Sequence, residues 1–189
     1  DITARKKIEE DIKNTLTQYQ SLVDNIQGIV YRCRFDKDWT MLYVSSDVDE
    51  ISGYRSSDFI NNKVRTYESI IHRADTAYVN KIISDAVKVK KPWDIEYRII
   101  DKHGVVKWVH ELGRGVFDEQ GTVKYLDGLI INITDRKIIE EKLQKSETRI
   151  STIVQGIGDG VFVVDKNLRI ILFNAKASEI SGFSPAEAL

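Results

Sequence analysis

The residues Asp1-Ile2-Thr3-Ala4-Arg5-Lys6-Lys7-Ile8-Glu9-Glu10 return 131 positions later as Asn132-Ile133-Thr134-Asp135-Arg136-Lys137-Ile138-Ile139-Glu140-Glu141, with seven of the ten identical. The register continues, since Gly28-Ile29-Val30-Tyr31 stands opposite Asp159-Gly160-Val161-Phe162. Glu50-Ile51-Ser52-Gly53-Tyr54 answers Glu179-Ile180-Ser181-Gly182-Phe183 at an offset of 129, so the second copy is two residues shorter. Solenoid units repeat every ~20–50 residues, and a period this long implies whole domains in tandem. The chain is therefore expected to be a window on an array. Residues 1–25 would hold the tail of one module and a connector helix, 26–135 a complete module, 136–154 a second connector, and 155–189 the opening of a further module.

A net charge of −1 removes the electrostatic case for a nucleic-acid partner. No apolar run approaches the ~20 residues that span a bilayer, and no secretory leader is legible. The single cysteine, Cys33, has no internal disulfide partner and suits a reducing compartment. The expectation is a cytoplasmic fragment without membrane contact of its own, whatever a longer parent carries elsewhere.

Residues 4–25 lack Gly and Pro and space Ile8, Ile12, Tyr19 and Leu22 as a narrow apolar stripe, which predicts a helix ended by Gly28. Period-two alternation predicts a strand over 29–35, with Ile29, Tyr31, Cys33 and Phe35 on one face, then a turn at 36–38 and a strand over 39–44. Short helices follow: 47–51, closed by Gly53; a piece capped by Ser56 and running towards Ile60; and 76–89, capped by Asp75, with Val79, Ile82, Ile83, Ala86 and Val87 on one face. Pro92 ends that region, and strands are predicted over 93–99, 105–117 and 122–133. This β-β-α-α-α-β-β-β order predicts an α+β fold, one antiparallel sheet with its helices on one face. Over 135–154 a second stripe, Ile139, Leu143, Ile150 and Ile153, predicts another helix, weakened at Ser146. The two stripes are read as seams that pair across a homodimer, or as faces that lie on their own domains.

The element order and several words within it resemble the PAS sensory domain with its C-terminal PAC motif. The words are Gly28-Ile29-Val30-Tyr31-Arg32, Tyr43-Val44-Ser45, Ile51-Ser52-Gly53-Tyr54 and Ile71-His72-Arg73-Ala74-Asp75. They continue with Glu96-Tyr97-Arg98-Ile99, Gly104-Val105-Val106-Lys107-Trp108-Val109, Asp118-Glu119-Gln120-Gly121, and Gly128 through Asn132-Ile133-Thr134-Asp135-Arg136-Lys137. Each is weak alone; together they cover about 22–137 in order. The resemblance implies a five-stranded sheet of order 2-1-5-4-3 around a small cavity, flanked by connector helices, and a role in signalling. It also implies a signal linker at Asn132, Ile133, Thr134, Asp135 and Arg136. Two departures stand out. The linker word usually opens on Asp where Asn132 stands, so an expected ion pair is lost or passes to Asp135. Arg73 and Ala74 interrupt a word that often reads His-Pro-Asp-Asp.

The same resemblance disfavours haem, because the ligand position four residues into the long helix is Val79. It disfavours flavin as well, because Cys33-Arg34-Phe35 lies on a strand without the photosensor's flanking residues. His110-Glu111-Leu112 sits in a predicted strand, unlike a kinase phospho-acceptor on a bundle helix. Three His and one Cys never reach metal-ligand spacing, so no metal site and no catalytic site are expected. What remains is the cavity. Tyr31, Tyr43, Tyr97, Trp108 and His110 either present polar tips to a small molecule or belong to the core, with their hydroxyls bonded internally. The function expected is a non-catalytic sensory or relay module of a sensor histidine kinase. The alternatives are a ligand-free dimerisation spacer, or the input region of a diguanylate cyclase or other output enzyme. The apolar hairpin 161–173 has no last strand to cover it and is expected to pair with another chain.

Overall fold

Alternating segments build one antiparallel sheet from β1 (Ile29–Cys33), β2 (Met41–Val44), β3 (Trp93–Ile100), β4 (Val106–Phe117) and β5 (Val123–Asn132), in the order β2-β1-β5-β4-β3. The computed structural model describes residues 2–184 and 187, and separates into units 1–134 and 135–189. The first unit opens with α1 (Ile2–Asp24). On that helix Ile12 is exposed, while the side chains of Ile8, Tyr19 and Leu22 lie outside the described ones.

The sheet's period-two pattern sets its inner face. Trp93, Ile95, Tyr97 and Ile99 are all buried, and each is followed by a more exposed residue. They pack with Ile29, Tyr31 and Cys33 of β1 and Leu126 and Ile130 of β5. Over them lie α2 (Asp47–Ser52), α3 (Ser56–Phe59), a 3-10 turn at Tyr67–Ile70 and α4 (Thr76–Lys88), which buries Val79, Ile83 and Val87 at four-residue spacing. Full burial of each such side chain stabilises by ~1.5–3 kcal/mol.

Three local expectations need correction. Asp75 occupies the N-cap position of α4, but its side chain makes no cap bond. Its carboxylate instead accepts from the Arg98 backbone N–H (2.9 Å), Nε (2.9 Å) and Nη2 (2.5 Å), tying the start of α4 to the edge strand β3. The Arg98 guanidinium beside it holds the Asp75 carboxyl below the usual range. Ser56 does not cap α3; Arg55 stands at the N-cap, and the Ser56 N–H goes to Asp49 Oδ1 at 2.6 Å. Finally, β1 stops at Cys33 and β2 begins only at Met41. Trp39 has φ +48°, a left-handed conformation that breaks the ladder, and its ring packs on the core and edge-on to Phe35.

In the second unit, α5 (Thr134–Gly156) leads to a two-stranded ribbon of β6 (Phe162–Val164) and β7 (Ile170–Phe173), then α6 (Ala175–Ser181). Asn174 is fully buried and knots the unit together. Its Oδ1 accepts from Val161 N and Ala177 N, both at 2.8 Å, and its Nδ2 donates to the Val154 and Asp159 carbonyls, both at 3.0 Å. Its own N–H returns to Val161 O at 3.0 Å. The first unit makes the same reciprocal clasp with Ser45: Val30 N donates to Ser45 Oγ (3.0 Å), and Ser45 N to Val30 O (2.8 Å). Val30 and Val161 are 131 apart, so the repeat seen in the letters is a repeat of hydrogen bonds. Phe162, Val163, Val164 and Ile171 are exposed on the ribbon. Positions 185, 186, 188 and 189 of the 155–189 segment lie outside the described residues. Among the described residues, no helix is long and apolar enough to cross a membrane.

Candidate functional site: a buried carboxylate beneath the sheet

Strand alternation turns Val109, Glu111 and Gly113 of β4 inward, and Glu111 is 3% exposed. A buried carboxylate has only acceptors and is costly unless they are filled. Three neutral donors fill them here. Tyr31 Oη (2.5 Å) and Trp93 Nε1 (2.9 Å) donate to Glu111 Oε1, and Tyr97 Oη (2.6 Å) donates to Oε2. The two phenol bonds have the short lengths of charge-assisted pairs.

The rings reach Glu111 because two glycines, paired across β4 and β5 as Gly113↔Gly128, leave space for them. A Cβ on Gly113 would overlap the Trp93 indole, and one on Gly128 would stand 2.6 Å from the Tyr31 ring.

Beside the cluster lies a cavity of about 30 Å3, between the sheet, α4 and the 3-10 turn. That is room for one or two water-sized groups. Tyr67, Glu68, Asn80 and Ile83 close it from the helical side. Tyr67 Oη is buried and neighbours Tyr97, whose only proton is committed to Glu111. Among the described residues it has no hydrogen-bond partner of acceptable geometry.

Burial, followed by the Glu111 charge, holds the Tyr31 and Tyr97 phenols protonated well above their usual range. Burial raises the Tyr67 phenol and the Cys33 thiol in the same direction. The folded chain thus keeps protons that the unfolded chain loses above the ordinary thiol and phenol values of about 8.5 and 10. Stability from these groups is complete below those values and falls as the pH rises past them, by up to ~5 kcal/mol per pH unit if all four contribute. Urea midpoints measured from about pH 8 to about pH 11 are expected to fall steeply, and less steeply in Tyr67→Phe. A flat profile would show that the phenols are solvated.

Of the five residues nominated from sequence, the structure brings Tyr31 and Tyr97 to the cavity. Tyr43, Trp108 and His110 are turned to the other face of the sheet. Because Val109 and Glu111 point inward, period two sends Trp108 and His110 outward. The Arg98 guanidinium lies 5.5 Å from the Trp108 ring centroid, His110 Nε2 meets Asp94 Oδ1 at 2.5 Å, and Tyr43 is exposed. Sequence reasoning missed Glu111, Trp93 and Tyr67. The usable signal was the Gly113/Gly128 pair, which marks the inward register of β4.

The linker starts on the same strand. Thr134 Oγ1 accepts from Trp108 N (3.0 Å), and Ile133 N donates to Trp108 O (2.9 Å). Asn132 Oδ1 accepts from Thr134 N (3.0 Å) and Thr134 Oγ1 (2.6 Å), so the Asn that replaces the usual Asp caps the first turn of α5. Asp135 lies in that first turn, and Arg136 pairs with Glu140 at 3.5 Å. Ile139, Leu143, Ile150 and Ile153 are each more than half exposed along α5.

A sheet of this order, with helices on one face and a small polar-ended cavity beneath it, defines a sensory-domain architecture. Two family profiles, each described as the PAS fold, match residues 41–130 and 148–189. Residues 41–130 thus form a PAS domain. It is 28% identical over 123 residues to the probable diguanylate cyclase DgcE of Escherichia coli K12, covering 65% of this chain and 11% of that protein. It is 29% identical over 97 residues to the sensor protein FixL of Bradyrhizobium diazoefficiens, covering 51% and 19%. The solved sensory box histidine kinase/response regulator of Burkholderia thailandensis E264 shares the fold, with TM-score 0.57 and 23% identity, over 70% of this chain and 97% of that one. The chain spans less than a fifth of the length of the curated relatives it matches. It carries a PAS sensory domain similar to those of histidine kinases and diguanylate cyclases.

Proposed function

We propose that residues 26–135 are a non-catalytic sensing and relay module of a larger cytoplasmic signalling protein, whose output is a histidine kinase or a diguanylate cyclase. One observation carries this reading. Strand β4 holds the cavity's carboxylate at Glu111 and, three residues earlier at Trp108, makes the two hydrogen bonds that fix the start of α5, its N–H donating to Thr134 Oγ1 and its carbonyl accepting from Ile133 N. Three strand residues span about 10 Å, short enough for a change in the Glu111 network to bias the clamp and hence the connector. In hydrogen exchange, Glu111→Gln is expected to alter the amides of residues 132–140 as well as those around the cavity. A change confined to the cavity strands would reject the relay.

The exposed stripe Ile139, Leu143, Ile150 and Ile153 supports a second element of the reading, homodimerisation through the connectors. The apolar β6–β7 ribbon would pair with a second copy in the same assembly. Leu143→Asp is expected to convert a dimer to a monomer in light scattering. A variant that stays dimeric would show that the connectors do not drive association, and a wild-type monomer would remove the spacer alternative altogether.

A further inference from the structure

We infer that the cavity beside Glu111 is a binding site for a small ammonium-type cation, ammonium or methylammonium, an inference that rests on the sensory reading above. Four observations point to this class. First, the lining contains two carboxylates, Glu111 and Glu68, and no lysine or arginine. Second, the partners of the buried Glu111 are all neutral donors, so its charge is solvated but not balanced. Third, Tyr31, Trp39, Tyr67 and Tyr97 line the cavity, and an aromatic ring attracts a cation wherever its face is presented. Fourth, Tyr67 Oη is an unpartnered buried hydroxyl with free acceptor capacity, which an N–H donor would fill.

Size narrows the class. At about 30 Å3 the space holds one or two heavy atoms and excludes amino acids, nucleotides and ring cofactors. A tetrahedral ammonium head would donate to Glu111 and Tyr67, with Met41, Val79 and Ile83 beside a methyl group. Glu68 lies towards the α4 side, half-buried, and accepts from Asn80 Nδ2 at 3.1 Å. It adds to the negative potential there.

The test is thermal unfolding of the full chain at fixed ionic strength in ammonium, methylammonium, potassium and tetramethylammonium chlorides, with methanol as the neutral isostere of methylammonium. The expected result is a saturable rise in Tm with ammonium or methylammonium and none with potassium or tetramethylammonium. Because the Tyr67 hydroxyl has no hydrogen-bond partner of acceptable geometry among the described residues, Tyr67→Phe should fold normally and weaken binding by about tenfold. Glu111→Gln should abolish binding. Equal responses to ammonium and potassium, or unchanged affinity in Tyr67→Phe, would overturn the proposal. A rise with methanol alone would overturn the cationic class and leave the sensory reading standing. No response to any of them would overturn the ammonium site, and unaltered exchange at residues 132–140 in Glu111→Gln would then remove the sensory reading as well.

Discussion

Replacing Gly113 with alanine is expected to destabilise the first unit by about 3 kcal/mol, the upper part of the range for overpacked cores. The added methyl would enter the space held by the Trp93 indole. That ring is 4% exposed and donates its N–H to Glu111, so it cannot swing aside without leaving a buried carboxylate oxygen short of a donor. The neighbouring Gly128 is covered by the Tyr31 ring, which closes the other direction of escape. Gly104 gives the contrast. Nothing lies within 4 Å of its missing Cβ, but its φ is +81°, so alanine there should cost only about 1 kcal/mol through backbone strain. Urea unfolding with an unchanged m value measures both. A Gly113→Ala loss no larger than that of Gly104→Ala would refute the packing described here.

Glu111→Ala is expected to be still more damaging, by about 4 kcal/mol, because it strands three buried donors at once and enlarges the cavity. Glu111→Gln keeps the shape and one acceptor oxygen, but turns an amide N–H2 towards a phenol that must then reverse its proton. Its cost is expected near 1–2 kcal/mol. The cluster acts as a unit, so Tyr97→Phe in the Glu111→Ala background should cost much less than Tyr97→Phe alone. Additive losses in that cycle would mean that the tyrosine and the carboxylate do not interact. The Gly113 and Glu111 variants disturb one assembly from two sides, the first by crowding its ring and the second by removing its acceptor.

Much of this arrangement is legible in the letters, for identifiable reasons. Trp93-Asp94-Ile95-Glu96-Tyr97-Arg98-Ile99 alternates apolar with charged residues, so its inner face can be read directly. The inner face of β4 cannot. Its inward residues include Glu111 and Gly113, and its outward residues include Trp108 and Leu112, so hydrophobicity points to the wrong side. That inversion placed Trp108 and His110 at the cavity in the sequence reading and left Glu111 out. Tyr43 failed for a related reason. In a four-residue strand, either face can carry an aromatic ring.

By itself the sequence determined the tandem repeat, the strand and helix order, the sheet topology implied by the family words, and the helix that leaves the last strand. These depend on local periodicity and on residues close together in the chain. Only the tertiary structure decided that Tyr31, Trp93, Tyr97 and Glu111 meet, that Gly113 and Gly128 make room for them, and that Asp75 turns from its helix to Arg98. A buried charge is unfavourable until its donors arrive from other strands, up to 80 residues away, and no local pattern can register such an offset.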